Sequence, residues 1–278
     1  MATKLILLGT AGGPVPRSPR HAPSQVVVVD DHAYVIDCGN GVAQQLQLAG
    51  VSPSTLRAVL VTHHHSDHNA DLGNLFLLSW PLLTRRVPVV GPPPLLAILR
   101  SFFEMSRYDI EIRVEDEGRP HLSEYLAGEE IDQPGVVFRD DKVEVRAALV
   151  DHPPVRPAFA FRIDTADRSI VISGDTRPSD GLVELARGAD VLVHEVIHLP
   201  AVGGPVEANN GARLLDHLRA CHTPVDQVGS LAERAGVGML VLSHLVPATD
   251  VVPDDVWQKE AMHGYSGRVV VGRDLLEL

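Results

Sequence analysis

The amino-acid sequence predicts an α/β fold, and three of its properties carry that expectation. Strand-like apolar runs come first and then alternate with helical patterns. No Ser/Gly linker or low-complexity tract divides the 278 residues, and sharp polar clusters stand directly after the ends of apolar runs. With 45% hydrophobic residues the chain is long enough to bury a substantial core. Residues 1–278 are therefore expected to form one domain.

The elements follow in order. Strands are expected at Lys4 to Leu8, Gln25 to Val29, Ala33 to Ile36 and Ala58 to Val61, each bounded by Gly, Pro, Asp or Asn. Between the third and fourth, GVAQQLQLA (Gly41 to Ala49) has helical apolar spacing. Further strands are expected at Val87 to Val90, Val143 to Val150, Ala158 to Ile163, Ser169 to Ile172, Val191 to Val193, Met239 to Leu242 and Val269 to Val271. Helical patterns occupy Leu95 to Met105, Gly181 to Ala186, Ala212 to Leu218 and Asp226 to Ala235, while Leu75 to Leu83 and Glu104 to Gln133 read as loops. The polar clusters begin at Thr62, Val150, Ser173, Val193 and Leu242, and loops at the carboxyl ends of strands are where α/β folds build sites.

Composition narrows the function classes. The formal net charge is −12, and the densest cationic patches, Arg17 to Arg20 and Arg85-Arg86, are short and lie in proline-rich loops. A protein that grips a phosphate backbone normally clusters Lys and Arg, so nucleic acid is a disfavoured substrate and a small molecule is expected instead. The apolar stretch of MATKLILLGTAGGP is too short for a secretory signal, and no run reaches membrane-spanning length. A cytoplasmic protein without a membrane partner is the expectation, with Cys38 and Cys221 as small buried residues and no disulfide framework.

The chemistry concentrates in VTHHHSDHNADLG, Val61 to Gly73. In His63-x-His65-x-Asp67-His68, alternate histidines on an extended segment face one side, and a following helical turn displaces Asp67 and His68 toward a second position. Two ions become possible, and His64 points away. Three further strand ends, Asp151-His152, Ser173-Gly174-Asp175-Thr176 and Ser243-His244, supply His152, Asp175 and His244, bringing the ligand set to five histidines and two aspartates. Such ligands suit Zn2+, and also accept Mn2+ or Fe2+. Asp37 in IDCGNG either supports a histidine or, with Asn40, caps the next helix. Gly12-Gly13 marks a turn or a close backbone approach. Trp80, Phe102, Phe103 and Met105 belong to the core, with a substrate-pocket wall as the other reading.

The ordered set HxHxDH, His, SGDT, SH resembles the metallo-β-lactamase superfamily of binuclear metallohydrolases over nearly the whole chain. That resemblance implies a four-layer αββα sandwich and two divalent ions, Zn2+ foremost. His63, His65 and His152 would hold one ion, Asp67, His68 and His244 the other, and Asp175 would bridge them. LGTAGGPVPR, IDCGNG, ADVLVHE and CHTPVDQVGSLAERAGVGMLVLSH resemble the ribonuclease Z and arylsulfatase-like branch. By that resemblance Glu195 and His222 form a proton relay, Asp67 doubles as ligand and proton acceptor, and a homodimer is expected.

Ribonuclease Z carries a long tRNA-gripping arm between the metal-binding histidine and the bridging aspartate. Here His152 to Asp175 holds only AFAFRI, a turn and SIVI. The expected function is accordingly hydrolysis of a small ester, whether a phosphodiester, sulfate ester, carboxyl ester or lactone. The alternatives are a ribonuclease Z-like tRNA-processing endonuclease and a redox member of the superfamily.

Overall fold

A computed structural model describes residues 2–18, 20–202 and 207–278. In chain order the elements are β1 (Thr3–Gly9), β2 (Ser24–Val29), β3 (His32–Ile36), α1 (Val42–Leu48), β4 (Leu56–Leu60), α2 (Ser66–Asn69), α3 (Leu72–Ser79), β5 (Val87–Gly91), α4 (Leu95–Glu117), β6 (Leu126–Glu130) and β7 (Gly135–Arg139). They continue with β8 (Glu144–Leu149), β9 (Phe159–Asp164), β10 (Ser169–Ile172), α5 (Asp180–Leu185), β11 (Val191–Ile197), α6 (Glu207–Cys221), α7 (Val225–Ala235), β12 (Met239–Val246), α8 (Asp254–Ala261), β13 (Arg268–Val271) and β14 (Leu276–Glu277).

The strands form two seven-stranded sheets, ordered β14-β1-β2-β3-β4-β5-β6 and β13-β12-β11-β10-β9-β8-β7. Each is antiparallel on one side and parallel on the other, the parallel strands being β3 to β6 in the first and β10 to β13 in the second. The period of two along each strand assigns its side chains to layers. Leu5, Leu7, Val27, Val29, Tyr34, Ile36, Ala58 and Leu60 pack against Val145, Phe159, Phe161, Ile170, Ile172, Val191, Val193 and Val241 between the sheets. The alternate residues face outward: Ile6, Leu8, Val26 and Val35 lie under Leu46, Phe76 and Leu99 of α1, α3 and α4. Val171, Leu192 and Leu240 lie under Leu182, Leu231 and Trp257 of α5, α7 and α8. Helix, sheet, sheet and helix thus stack as an αββα sandwich.

Two segments read as loops are ordered elements. Leu75 to Leu83 belongs largely to α3 and a following 3-10 turn, where Phe76 and Trp80 are buried in the core. Helix α4 runs on past Met105 to Glu117 and ends at Gly118, whose φ of 67° stops it. Its solvent-facing second half is laced by ion pairs at helical spacing, Asp109 with Arg113 and Arg113 with Glu117. Phe102 is buried there, Phe103 packs beside it, and Met105 is exposed rather than in the core. No described helix is long and apolar enough to cross a membrane.

A candidate metal centre at the strand ends

The polar clusters converge where the parallel strands of both sheets end. After β4 the chain stays extended through His65, which begins the single turn α2. His63 and His65 leave on the extended stretch, and Asp67 and His68 on the turn. His152 follows β8, and Ser173 to Thr176 follow β10. At Gly174 a φ of 58°, with the Phe159 carbonyl 2.7 Å from where a Cβ would sit, admits only glycine. On β12 the register slips so that Glu195 faces Ser243 but Val196 faces Leu245. His244 is the extra residue of that bulge, with φ 45°, and the bulge aims it into the site.

Two clusters result. His63 Nε2 and His152 Nε2 each lie 3.1 Å from His65 Nδ1. Beside them, His68 Nε2 is 3.2 Å from Asp175 Oδ1, and His244 Nε2 is 3.2 Å from Asp175 Oδ2 and 3.4 Å from Asp67 Oδ2. Asp175 stands between the clusters, its Oδ2 3.9 Å from both His63 Nε2 and His152 Nε2. All of these residues are buried except His65, which is partly exposed.

The donor set fits metal ions on its own geometry. Tetrahedral bonds of about 2.05 Å put ligand nitrogens roughly 3.3 Å apart, close to the spacing of the three imidazoles. The outer ring nitrogens of His63, His68 and His152 are committed elsewhere, which leaves their lone pairs facing inward. His152 Nδ1 donates to the Cys221 carbonyl at 3.1 Å, and His68 Nδ1 donates to Asp37 Oδ2 at 2.7 Å. His68 Nε2 and Asp175 Oδ1 are thereby left buried without a hydrogen bond, an arrangement of lone pairs that a cation relieves.

Electrostatics point the same way. Burial holds His63, His65 and His152 below the ordinary imidazole pKa, the neutral form that ligates. Burial alone would raise the aspartates, but surrounding histidines overcome it: Asp67 is held down to about 2, and Asp175 lies well below the usual carboxylate range.

Asp37 settles on one of its two readings. Its Oδ1 accepts from the Thr62 N–H at 2.8 Å and its Oδ2 from the Thr62 hydroxyl at 2.9 Å, as well as from His68. The start of α1 has no side-chain cap, and the Gly41 N–H there donates to Asp71. His64 turns away to the Pro92 carbonyl and Asn69.

A second constellation adjoins the clusters. Glu195 Oε1 accepts from the N–H groups of Thr176 and Thr223, each at 3.1 Å, and lies 3.2 Å from His222 Nδ1. Burial would lower His222, but Glu195 raises it well above the usual imidazole range. Sequence reasoning missed three contributors: Thr62, which joins Asp37 to His63 Nδ1 at 3.0 Å, and the backbones of Gly13 and Thr223. The Gly13 N–H donates to Asp67 Oδ2 at 3.1 Å. Only the glycine pair itself hinted at such an approach.

A sandwich of this kind with paired His/Asp clusters defines a class, and the chain belongs to the β-lactamase superfamily, whose domain profile matches residues 32–245. It is a metal-dependent hydrolase. In sequence it is similar to ribonuclease Z of Mycobacterium bovis (strain BCG / Pasteur 1173P2), 37% identical over 282 residues that cover 98% of this chain and 96% of that one. The fold is that of the metallo-β-lactamase fold protein YhfI from Bacillus subtilis, with a TM-score of 0.73 at 22% identity, covering 99% of this chain and 98% of that one. It is equally that of the short form of human tRNase Z, with a TM-score of 0.73 at 20% identity and the same coverage.

These relatives overturn the expectation of a small-molecule substrate with nucleic acid disfavoured. A relative named as a ribonuclease aligns along 96% of its length, so it too has no long insertion, and the missing arm loses its force. Net charge failed because it averages over the molecule. Acidic residues Asp30, Asp31, Asp140 and Asp141 gather around the β2–β3 and β7–β8 turns, whereas exposed Arg17, Arg156 and Arg177 lie in loops that carry the site.

Proposed function

We propose that this protein is a ribonuclease that cleaves a phosphodiester bond in RNA of the tRNA type. The observation that carries the reading is its full-length kinship, at 37% identity, with a protein named ribonuclease Z. His63, His65 and His152 would hold one divalent ion and Asp67, His68 and His244 another, with Asp175 shared. Zn2+ suits this mixture of imidazole and carboxylate. When bound, two such ions lower the pKa of water and withdraw charge from a phosphoryl oxygen.

The chain's own groups supply the remaining steps. Asp67, steadied by the Gly13 N–H, accepts a proton from the attacking water. His222 is held by Glu195 in the charged form and delivers a proton to the leaving oxygen. Thr176 and Thr223 fix Glu195 through their N–H groups, so the pair keeps its orientation. Exposed Arg17, Arg156 and Arg177 are placed to meet phosphates that flank the reacting one.

The test is incubation of the zinc-loaded protein with a tRNA precursor and with mature tRNA. Cleavage at a discrete position in the precursor, abolished by a chelator and by Asp175→Ala, is the expected result. Uncut precursor at metal saturation, while a chromogenic phosphodiester is still hydrolysed, would overturn the RNA reading.

A further inference from the structure

A small cavity of about 20 Å³ adjoins the second cluster, where Ile172 and Val193 of the inter-sheet core meet His68, Asp175 and His244. Its lining includes Gln25, Asp37, Asp175, Glu195, Ser243 and His244, and every lining residue is buried. The period of two explains why polar groups meet there. Gln25 continues the inward row of Val27 and Val29, Glu195 that of Val191 and Val193, and Ser243 that of Val241. Each row is apolar until the strand reaches the site, where it ends in a polar side chain.

Gln25, Glu195 and Ser243 are 4%, 2% and 3% exposed, and Gln25 Oε1, Glu195 Oε2 and Ser243 Oγ have no hydrogen-bond partner in the protein. Two of these atoms are acceptors and one carries a hydroxyl proton. We propose that one water molecule is bound in this cavity, donating to Gln25 Oε1 and Glu195 Oε2 and accepting from the Ser243 hydroxyl. The volume admits one water, and three polar partners are what a buried water ordinarily holds.

The consequence falls on Glu195. Its Oε1 already takes three donors, and the water ties Oε2, so the carboxylate cannot rotate away from His222. Gln25 and Ser243 are then positioning residues, acting through the water and Glu195. The solvent site stands on geometry alone, while the positioning role rests on the ribonuclease reading above.

A crystal structure of the zinc-loaded protein, at a resolution that shows ordered solvent, tests the site directly. One spherical peak within hydrogen-bonding distance of the three atoms, without zinc anomalous signal, is expected. No peak, an anomalous peak, or a direct Gln25 to Glu195 contact overturns the proposal, and none of these readouts depends on activity.

Steady-state kinetics on tRNA precursor test the role, using Ser243→Ala and, independently, Gln25→Leu. Each should lower kcat about five- to tenfold with KM within about twofold and zinc content unchanged, and Ser243→Thr should restore most of the rate. Unaltered kcat in both variants removes the positioning role. Inactive wild type with the water in place defeats the ribonuclease reading and leaves the solvent site standing.

Discussion

Asp37 Oδ2 lies 2.7 Å from His68 Nδ1, and the same oxygen accepts from the Thr62 hydroxyl, whose oxygen is 3.0 Å from His63 Nδ1. One carboxylate thus orients an imidazole in each of the two clusters. Replacing Asp37 by Ala should therefore weaken both ion sites together, by about 10- to 100-fold in affinity. Zinc competition against a chromophoric chelator measures this, and loss confined to one site would contradict the shared orientation.

Glu195 and His222 lie outside both imidazole and aspartate clusters yet touch them. Glu195→Gln and His222→Ala should lower kcat on RNA by about 10²- to 10⁴-fold while the zinc content stays that of wild type. Because the two act as a pair, the double variant should fall little further than the worse single one. Multiplying losses would separate their roles.

Gly12 packs against the second cluster. A Cβ there would lie 2.9 Å from His244 Nδ1 and press on the Val246 side chain. Gly12→Ala should push His244 out of line, so that dialysis against chelator strips one ion while the other persists. Metal stoichiometry by elemental analysis reads this out, and simultaneous loss of both ions would sink the assignment of His244 to a separate site.

Metal removal should cost stability as well as activity, since the buried lone pairs facing one another lose their counter-charge. Zinc at about 1,000 times its Kd stabilises by about 4 kcal/mol, or roughly 8–16 °C in Tm for a chain this long. Calorimetry with and without chelator checks it. An unchanged Tm would mean that the clusters bind no ion tightly.

The fold and the cluster residues were legible for one reason: both follow short periods. A repeat of two along β1 to β4 announced the strands, and the spacing His63-x-His65-x-Asp67-His68 announced that one extended segment and one turn would carry several ligands. What stayed hidden depends on tertiary partners. Asp37 read equally as a cap because its nearest rival use, at Asn40, was local, while His68 is 31 residues away. The Gly13 and Thr223 contributions are backbone N–H groups and leave no side-chain signature. Strands β6 and β7 are partly exposed along much of their length and lack clean alternation, so Leu126–Glu130 resembled loop and Gly135–Arg139 gave no strand signal. The substrate class was misread because charge was counted over the whole chain when only the loops around the site meet the substrate.

Among the described residues with positive φ outside glycine are Asp37 at 60° and His244 at 45°, one carrying the shared carboxylate and one a cluster imidazole. Such a backbone costs a side-chain-bearing residue about 1–2 kcal/mol, and glycine there would relieve it. Selection of variants by heat tolerance alone, in metal-free buffer, therefore favours glycine at His244, whose Nδ1 is buried without a partner, and discards the chemistry with the strain, whereas the three buried donors on Asp37 outweigh its strain. A screen for a hardier version of this protein has to be run with metal present and turnover scored, or it will return a sturdier sandwich with nothing at its edge.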